Sequence, residues 1–135
     1  MTPDISFSLT VRQIQSRAKF VTRRFGWWNL QPGAVLNGVE GGQRICKIRV
    51  VSVRMEPLSF MLEDQRYGQR ECALEGFPEM SPDEYIRMRV KSHGVTVDKI
   101  CNRIYFEYLE EVENENKKTT RKEIQKIVGQ GEKTR

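Results

Sequence analysis

The sequence predicts an α+β domain, with a curved, mostly antiparallel sheet and helices on its flank. Three segments carry this prediction. Residues 44–54 are rich in β-branched side chains, which favour strands. Residues 81–84 read Ser-Pro-Asp-Glu, and a capping serine followed by proline and two acids is typical of a helix start. Residues 100–109 alternate apolar and polar side chains, which indicates a closing strand with one buried face.

The N-terminal segment predicts a strand followed by a helix. Residues 5–9 alternate apolar and polar, the period of a half-buried strand. Val11, Ile14 and Ala18 then line one face of a helix that ends near its last apolar residue, with the side chain of Thr10 as its cap.

The middle of the chain predicts a hairpin. A proline–glycine turn at residues 30–33 precedes an apolar strand at residues 34–39. A short loop containing Gly41 and Gly42 joins this strand to residues 44–54, so we expect the two strands to be antiparallel neighbours.

Two helices are expected before the closing strand. Residues 69–74 predict a short helix that the glycine and proline of residues 75–78 stop. The helix that begins after Ser81 runs to about residue 93. Residues 58–68 are ambiguous between a helical turn and a loop.

The length of 135 residues suits a single domain, which we place at residues 1–109. Residues 110–135 carry seven Lys or Arg and six Asp or Glu but few apolar residues, and we expect a charged C-terminal tail that is partly helical or disordered. The net charge of +5 is compatible with an anionic partner.

Cysteine usage favours a reducing compartment. Cys46, Cys72 and Cys101 are odd in number and form no Cys-x-x-Cys pair, and the sequence has neither a signal peptide nor a long apolar span. These cysteines and the single histidine, His93, lack the pair spacings of structural zinc sites. We therefore expect a cytoplasmic protein with free, buried thiols and with no metal, no cofactor and no membrane contact.

Residues 19–28, the basic–aromatic stretch, are the first candidate site. They hold Lys19, Thr22, two arginines and four aromatic residues, and the nearest carboxylates in the sequence are Asp4 and Glu40. Cations interleaved with rings suit a ligand that carries both phosphates and bases. The same pattern is also compatible with core aromatic residues and a solvated basic strand face.

Several motifs occur in an order that resembles the ASCH domain family. They are Lys19-x-x-Thr22-x-Arg24, the Pro32-Gly33 turn, the strand to Arg54, Glu75-Gly76-Phe77, Ser81-Pro82-x-Glu84-Tyr85 and Ile104-Tyr105-Phe106-Glu107-Tyr108-Leu109. The resemblance covers about residues 5–109. It implies a PUA-like fold, that is, a small, mostly antiparallel β-barrel with flanking helices and a cleft, and an association with RNA or modified nucleobases. One branch of this family removes the acetyl group from acetylcytidine.

The resemblance to that amidohydrolase branch implies catalytic roles for three residues. Lys19 would accept a proton from Thr22, Thr22 would attack the acyl carbon, and Glu75 would protonate the leaving amine. Glu71 lies close enough in the sequence to remain an alternative acid. Arg24 would hold the substrate or stabilise the oxyanion.

We expect Arg23, Arg24, Trp27, Trp28 and Tyr105 to provide ligand contacts. The two tryptophans are adjacent, so in a strand at most one of them would stack on a base. Tyr105 either lines the cleft or lies on the surface.

Three functional hypotheses follow. The first is an ASCH-type domain that binds RNA or a modified nucleoside in a basic cleft. The second is an amidohydrolase that deacylates an acylated nucleoside. The third is a protein-interaction module that uses the basic face.

Overall fold

The computed structural model describes residues 1–109, and the predicted tail at residues 110–135 lies outside them. The described part of the chain contains five strands and four helices. In chain order they are β1 (Asp4–Ser6), α1 (Val11–Gln15), β2 (Val21–Arg24), β3 (Val35–Glu40), β4 (Gln43–Pro57), α2 (Phe60–Glu63), α3 (Gln65–Glu75), α4 (Pro82–His93) and β5 (Ile100–Tyr108). The α+β prediction is confirmed. No helix within residues 1–109 is both long and apolar enough to span a membrane.

The five strands form one mixed sheet in the order β1-β3-β4-β5-β2. β1 pairs with β3 in parallel, and every other pair is antiparallel, including the predicted β3–β4 hairpin. The long strand β4 is irregular where it pairs with β5 between Val50 and Ser52, and such bulges bend a strand.

The expected barrel is not closed. β1 and β2 are the two edges of the sheet, and the backbone ladders of residues 1–109 do not join them. A side chain links the edges instead, because the guanidinium of Arg24 in β2 donates a hydrogen bond to the carbonyl oxygen of Ser6 in β1 at 2.6 Å. The sheet is therefore curled but open.

Helix α1 is shorter than its apolar spacing predicts. It ends at Gln15, and Arg17 has a positive φ of 62°, which does not continue a right-handed helix. Thr10 occupies the N-cap position but its side chain makes no capping hydrogen bond. Thr22 belongs to strand β2 rather than to an irregular segment after the helix.

The helices of the second half have clear caps. α4 begins with the predicted capping box between Ser81 and Glu84. α3 begins at Gln65, four residues earlier than predicted, because the Asp64 side chain accepts hydrogen bonds from two backbone N–H groups of its first turn. Gly76 ends α3 with a left-handed φ of 99°.

Two apolar clusters flank a layer of buried charge. The first cluster lies on the sheet and comprises Ile5, Phe7, Ile14, Leu36, Cys46, Ile48, Val50, Ile104 and Phe106. The second lies among α2, α3, α4 and the start of β5 and comprises Leu58, Met61, Cys72, Tyr85, Ile86 and Cys101. All three cysteines are buried and none forms a disulfide, as predicted.

Gly68 permits the close approach of α2, α3 and α4. A Cβ atom at this position would overlap the backbone oxygen of Met61 and would lie 2.7 Å from Cγ of Pro82. We expect Gly68→Ala to lower the free energy of unfolding by about 2 kcal/mol, although alanine alone would favour the helix by about 1 kcal/mol. Urea denaturation measures this change.

Arg66→Ala is the matched control, because Arg66 is exposed in the same helix. Its effect should stay within about 0.5 kcal/mol. A Gly68→Ala protein as stable as the wild type would show that the three helices do not pack this closely.

Candidate functional site

A cavity of about 380 Å³ opens beside the gap between the two sheet edges. Its walls come from the segment after β1, from β2, from the C-terminal end of α3 and from one face of α4. The lining residues are Ser6, Phe7, Ser8, Leu9, Thr10, Lys19, Thr22, Arg23, Arg24, Glu75, Phe77, Tyr85, Met88, Arg89, Ser92 and His93. The lining thus includes four lysine or arginine side chains and one carboxylate.

The backbone around Lys19 is held from three sides. Its N–H donates to the carbonyl of Gln13 in α1, and the next N–H, that of Phe20, donates to the carbonyl of Leu74 in α3 at 2.7 Å. The Tyr108 hydroxyl donates to the Lys19 carbonyl at 2.5 Å from β5. These bonds fix the Lys19 side chain against the last turn of α3, where Glu75 lies.

Lys19 and Glu75 form a buried ion pair. Lys19 Nζ donates to Glu75 Oε1 at 2.8 Å and to the Glu75 carbonyl at 3.0 Å. Burial lowers the pKa of Lys19 below 10.5, and Glu75 only partly offsets this. Burial alone would raise the pKa of Glu75, but the charges of Lys19, Arg23 and Arg89 lower it to about 2. Glu75 is therefore ionised at neutral pH.

Arg23 joins the cavity to the interior of the protein. It is fully buried, and its guanidinium donates to Glu75 Oε2 at 3.0 Å, to Glu71 Oε1 at 2.7 Å and to Glu56 Oε2 at 3.0 Å. Arg103 donates to both oxygens of Glu71, at 2.8 and 2.9 Å. We call these residues, with Lys19, Arg54 and Tyr67, the buried ionic network.

Thr22 and Arg24 are neighbours within the cavity. Arg24 Nε donates to the Thr22 hydroxyl oxygen at 2.9 Å, and the guanidinium lies 5.2 Å from the centre of the Phe7 ring. Burial and then the nearby charge of Arg89 lower the pKa of Arg24 to about 10. Arg24 still carries its charge at neutral pH, because a guanidinium with this pKa remains protonated.

Arg89 and His93 are lining residues that the sequence analysis missed. Arg89 donates to the Tyr85 hydroxyl and to the Arg23 carbonyl, both at 2.6 Å. His93 lies one turn further along α4, and burial and Arg89 lower its pKa. Helical spacing could have identified them, because the lining residues of α4 are 85, 88, 89, 92 and 93, which share one helix face.

Comparison with solved structures identifies the fold. Hypothetical protein PH0355 superposes with a TM-score of 0.61 at 18% identity, over 81% of this chain and all of that one. An ASCH domain from Lactobacillus crispatus superposes with a TM-score of 0.55 at 13% identity, over 78% of this chain and 79% of that one. Protein EF3133 from Enterococcus faecalis superposes with a TM-score of 0.57 at 16% identity, over 81% of this chain and 77% of that one. The chain has the fold of an ASCH domain.

The predicted family resemblance is thus confirmed at the level of the fold, which is all that such low identities establish. No family model and no curated protein matches the sequence. In this ASCH-type fold the predicted residues Lys19, Thr22, Arg23, Arg24 and Glu75 line one cavity.

Glu71, the alternative acid, does not line the cavity of the ASCH-type fold. It is fully buried, and both of its oxygens are held by Arg103, one of them also by Arg23. Of the two candidate glutamates, only Glu75 contacts Lys19.

Three predicted ligand contacts lie elsewhere. β2 ends at Arg24 and the chain leaves the sheet at Gly26, so the tryptophans are carried past the cavity. Trp27 packs against the sheet cluster, and Trp28 is half exposed in the same loop. Tyr105 is partly buried on β5, where the guanidinium of Arg103 lies 5.8 Å from its ring centre.

The described residues offer no metal centre. Within residues 1–109 no group of three or more His, Cys, Asp or Glu side chains is arranged to hold a metal ion. Burial raises the pKa of the Cys72 and Cys101 thiols to about 11, so neither is a ready thiolate at neutral pH.

We expect the removal of a single charge from the buried ionic network to destabilise the protein strongly. Glu71→Gln leaves Arg23 and Arg103 short of a carboxylate in the interior, and we expect a loss of about 3 kcal/mol in the free energy of unfolding. Urea denaturation at neutral pH measures it.

Glu107→Gln is the control, because Glu107 also pairs with an arginine, Arg49 at 3.1 Å, but both side chains are about half exposed. The free energy of unfolding of Glu107→Gln should fall by less than about 1 kcal/mol. Equal effects of the two substitutions would contradict a special role for the buried carboxylate.

Proposed function

We propose that this protein binds one nucleoside-sized ligand in the cavity, either a free modified nucleoside or a single unit of RNA. The observation that carries the proposal is the composition of the cavity walls. Phe7, Phe77 and Met88 supply apolar surface, while Thr22 and the Lys19–Glu75 pair supply polar groups. A flat base with polar edges needs both.

The size of the cavity favours a small ligand. A volume of about 380 Å³ lies near the lower end of the range for small-molecule sites, so a single nucleoside suits it better than a longer stretch of RNA. An RNA ligand would have to present one unstacked base, as single-stranded segments and loops do.

The site is also held in place before any ligand arrives. Lys19 is fixed by two bonds to Glu75, and Glu75 is in turn fixed by Arg23. Groups that need no reordering lose little entropy on binding, which favours affinity and specificity.

Calorimetry with cytidine, N4-acetylcytidine and a short single-stranded RNA containing either base tests the proposal. We expect saturable binding of at least one of these, and a loss of up to about tenfold in affinity for Thr22→Val, since it removes one polar contact. Thr96→Val is the control, because Thr96 is exposed and outside the cavity. No binding of any probe at low salt would refute the proposal.

A second candidate function is hydrolysis of an acylated nucleoside such as acetylcytidine. The burial of Lys19 in the cavity wall favours it, because burial lowers the pKa of Lys19 by more than Glu75 raises it and so makes the neutral amine more accessible. The neutral amine would take the proton of Thr22 as its oxygen attacks the acyl carbon. Arg24, bonded to the same oxygen, would stabilise the developing negative charge.

The protonation state of Glu75 changes its expected role. A carboxyl with a pKa of about 2 carries no proton at neutral pH, so Glu75 would not be the acid that protonates the leaving amine. We assign that step to the Lys19 ammonium formed when Thr22 is deprotonated. Glu75 would then orient the amine. Water would then cleave the acyl ester on Thr22, which releases the carboxylic acid and restores the threonine hydroxyl.

The pH dependence of N4-acetylcytidine hydrolysis tests this assignment. The rate should rise with pH, with a midpoint below 10.5, and should level off above that midpoint, because neutral Lys19 accumulates above its lowered pKa. Thr22→Val and Lys19→Met should each abolish turnover, and Thr96→Val should not. A rate that falls with increasing pH, or turnover that survives in Thr22→Val, would rule out this mechanism.

A further inference from the structure

Two guanidinium groups line the cavity without a carboxylate of their own. Arg24 and Arg89 form no ion pair within residues 1–109, whereas Lys19 and Arg23 share Glu75. Among residues 1–109, Glu75 is the only acidic residue that lines the cavity, and both of its oxygens are already engaged by Lys19 and Arg23. Glu75 therefore acts on Arg24 and Arg89 only from beyond ion-pair distance, and among residues 1–109 the cavity lining carries more positive than negative charge.

Both arginines retain unused hydrogen-bond donors. Arg89 is only 8% exposed, and its Nε is buried without an acceptor in the described part of the chain. Arg24 uses Nε and Nη2, while its Nη1 makes no hydrogen bond within residues 1–109. A buried donor without an acceptor is costly, and a donor of a charged group is costlier still.

We propose that Arg24 and Arg89 form an anion subsite, and that the ligand is a nucleotide whose phosphate monoester occupies it. The nucleoside part of this inference rests on the proposed function, whereas the anion subsite does not. Guanidinium groups match the oxygens of a phosphate in geometry and in charge. The acceptor oxygens of the phosphate would accept from Arg24 Nη1, which makes no hydrogen bond within residues 1–109, and would lie in the same cavity as the charge of Arg89.

The charge balance favours a monoester over a diester. A phosphate monoester carries between one and two negative charges at neutral pH, which offsets two guanidinium groups more fully than the single charge of a backbone phosphodiester. Occupation by such an anion would also relieve the repulsion by which Arg89 helps to lower the pKa of Arg24. Thr10, whose side chain makes no capping hydrogen bond, also lines the cavity, and a phosphate oxygen would accept from its hydroxyl.

Calorimetry of the full chain with matched probes tests the subsite. The probes are inorganic phosphate, the four common nucleosides, their 5′- and 3′-monophosphates, and a dinucleoside monophosphate that has only a diester. We expect at least one monophosphate to bind about tenfold more tightly than both its nucleoside and the diester. This preference should fall to less than about twofold in Arg24→Met.

Arg17→Met is the matched control. Arg17 also donates to a backbone carbonyl, that of Ile14 at 2.8 Å, and lies 4.5 Å from the centre of the Tyr108 ring, but it is outside the cavity. The control therefore loses the same charge and similar internal contacts. If Arg24→Met does not fold, Arg24→Gln should show the same loss of preference. Circular dichroism establishes folding for each variant.

The outcomes separate this inference from the proposed function. Nucleosides and monophosphates that bind equally well would overturn the anion subsite and leave the proposed function standing. Inorganic phosphate that binds the wild type and Arg17→Met but not Arg24→Met, without any nucleoside binding, would support the subsite and refute the nucleoside part. A preference for the diester would overturn the monoester assignment. No binding of any probe would overturn both.

Discussion

The guanidinium of Arg23, which is buried among three carboxylates, is the interaction on which the rest of the structure depends. Glu56 comes from β4, Glu71 and Glu75 come from α3, and Arg23 itself lies in edge strand β2. One side chain thus ties the helical layer to two strands of the sheet. Burying a charge is costly unless it is paired, so the four residues have to be placed together.

The outer members of the buried ionic network complete this arrangement. Arg103 neutralises Glu71 from β5, and Arg54 donates to Glu56 at 2.9 Å while its own side chain is half exposed. Tyr67 donates its hydroxyl to Glu56 at 2.6 Å. The network therefore runs from the cavity, at Lys19, to the protein surface, at Arg54. Such a network specifies one arrangement of helices on the sheet more than it adds net stability, because the ion pairs have to offset the desolvation of every charge.

Local patterns in the sequence predicted most elements of the fold, but not how they meet. The alternation in β5 and the capping box of α4 were read correctly, because both patterns depend on neighbouring residues. Arg103 shows where such a pattern fails. Its alternating position predicted a polar face, yet Arg103 is buried, because α3 covers that face and supplies Glu71.

The same distinction applies to the candidate site. The family resemblance predicted that Lys19, Thr22 and Glu75 share one site. Periodicity gave no reason to pair Lys19 with Glu75, which lies 56 positions away in the sequence. Arg89 was missed because an arginine in a helix is usually solvated, whereas this one is buried and donates to the Arg23 carbonyl of β2. The tryptophans show the reverse case, since composition marked them as ligand contacts while the turn at Gly26 takes them outside this cavity, and their contact with a ligand stays a prediction.

The open edge of the sheet explains why a cavity exists at this place. Paired strands lie about 4.8 Å apart, which leaves no space for a ligand between them. β1 and β2 are instead bridged by the long side chain of Arg24, and Ser6 and Arg24 both line the cavity. A backbone ladder between β1 and β2 would close the barrel and eliminate this gap. The departure from a closed barrel and the candidate site are therefore consequences of the same feature, a pair of short edge strands that are connected by an arginine side chain and not by a backbone ladder.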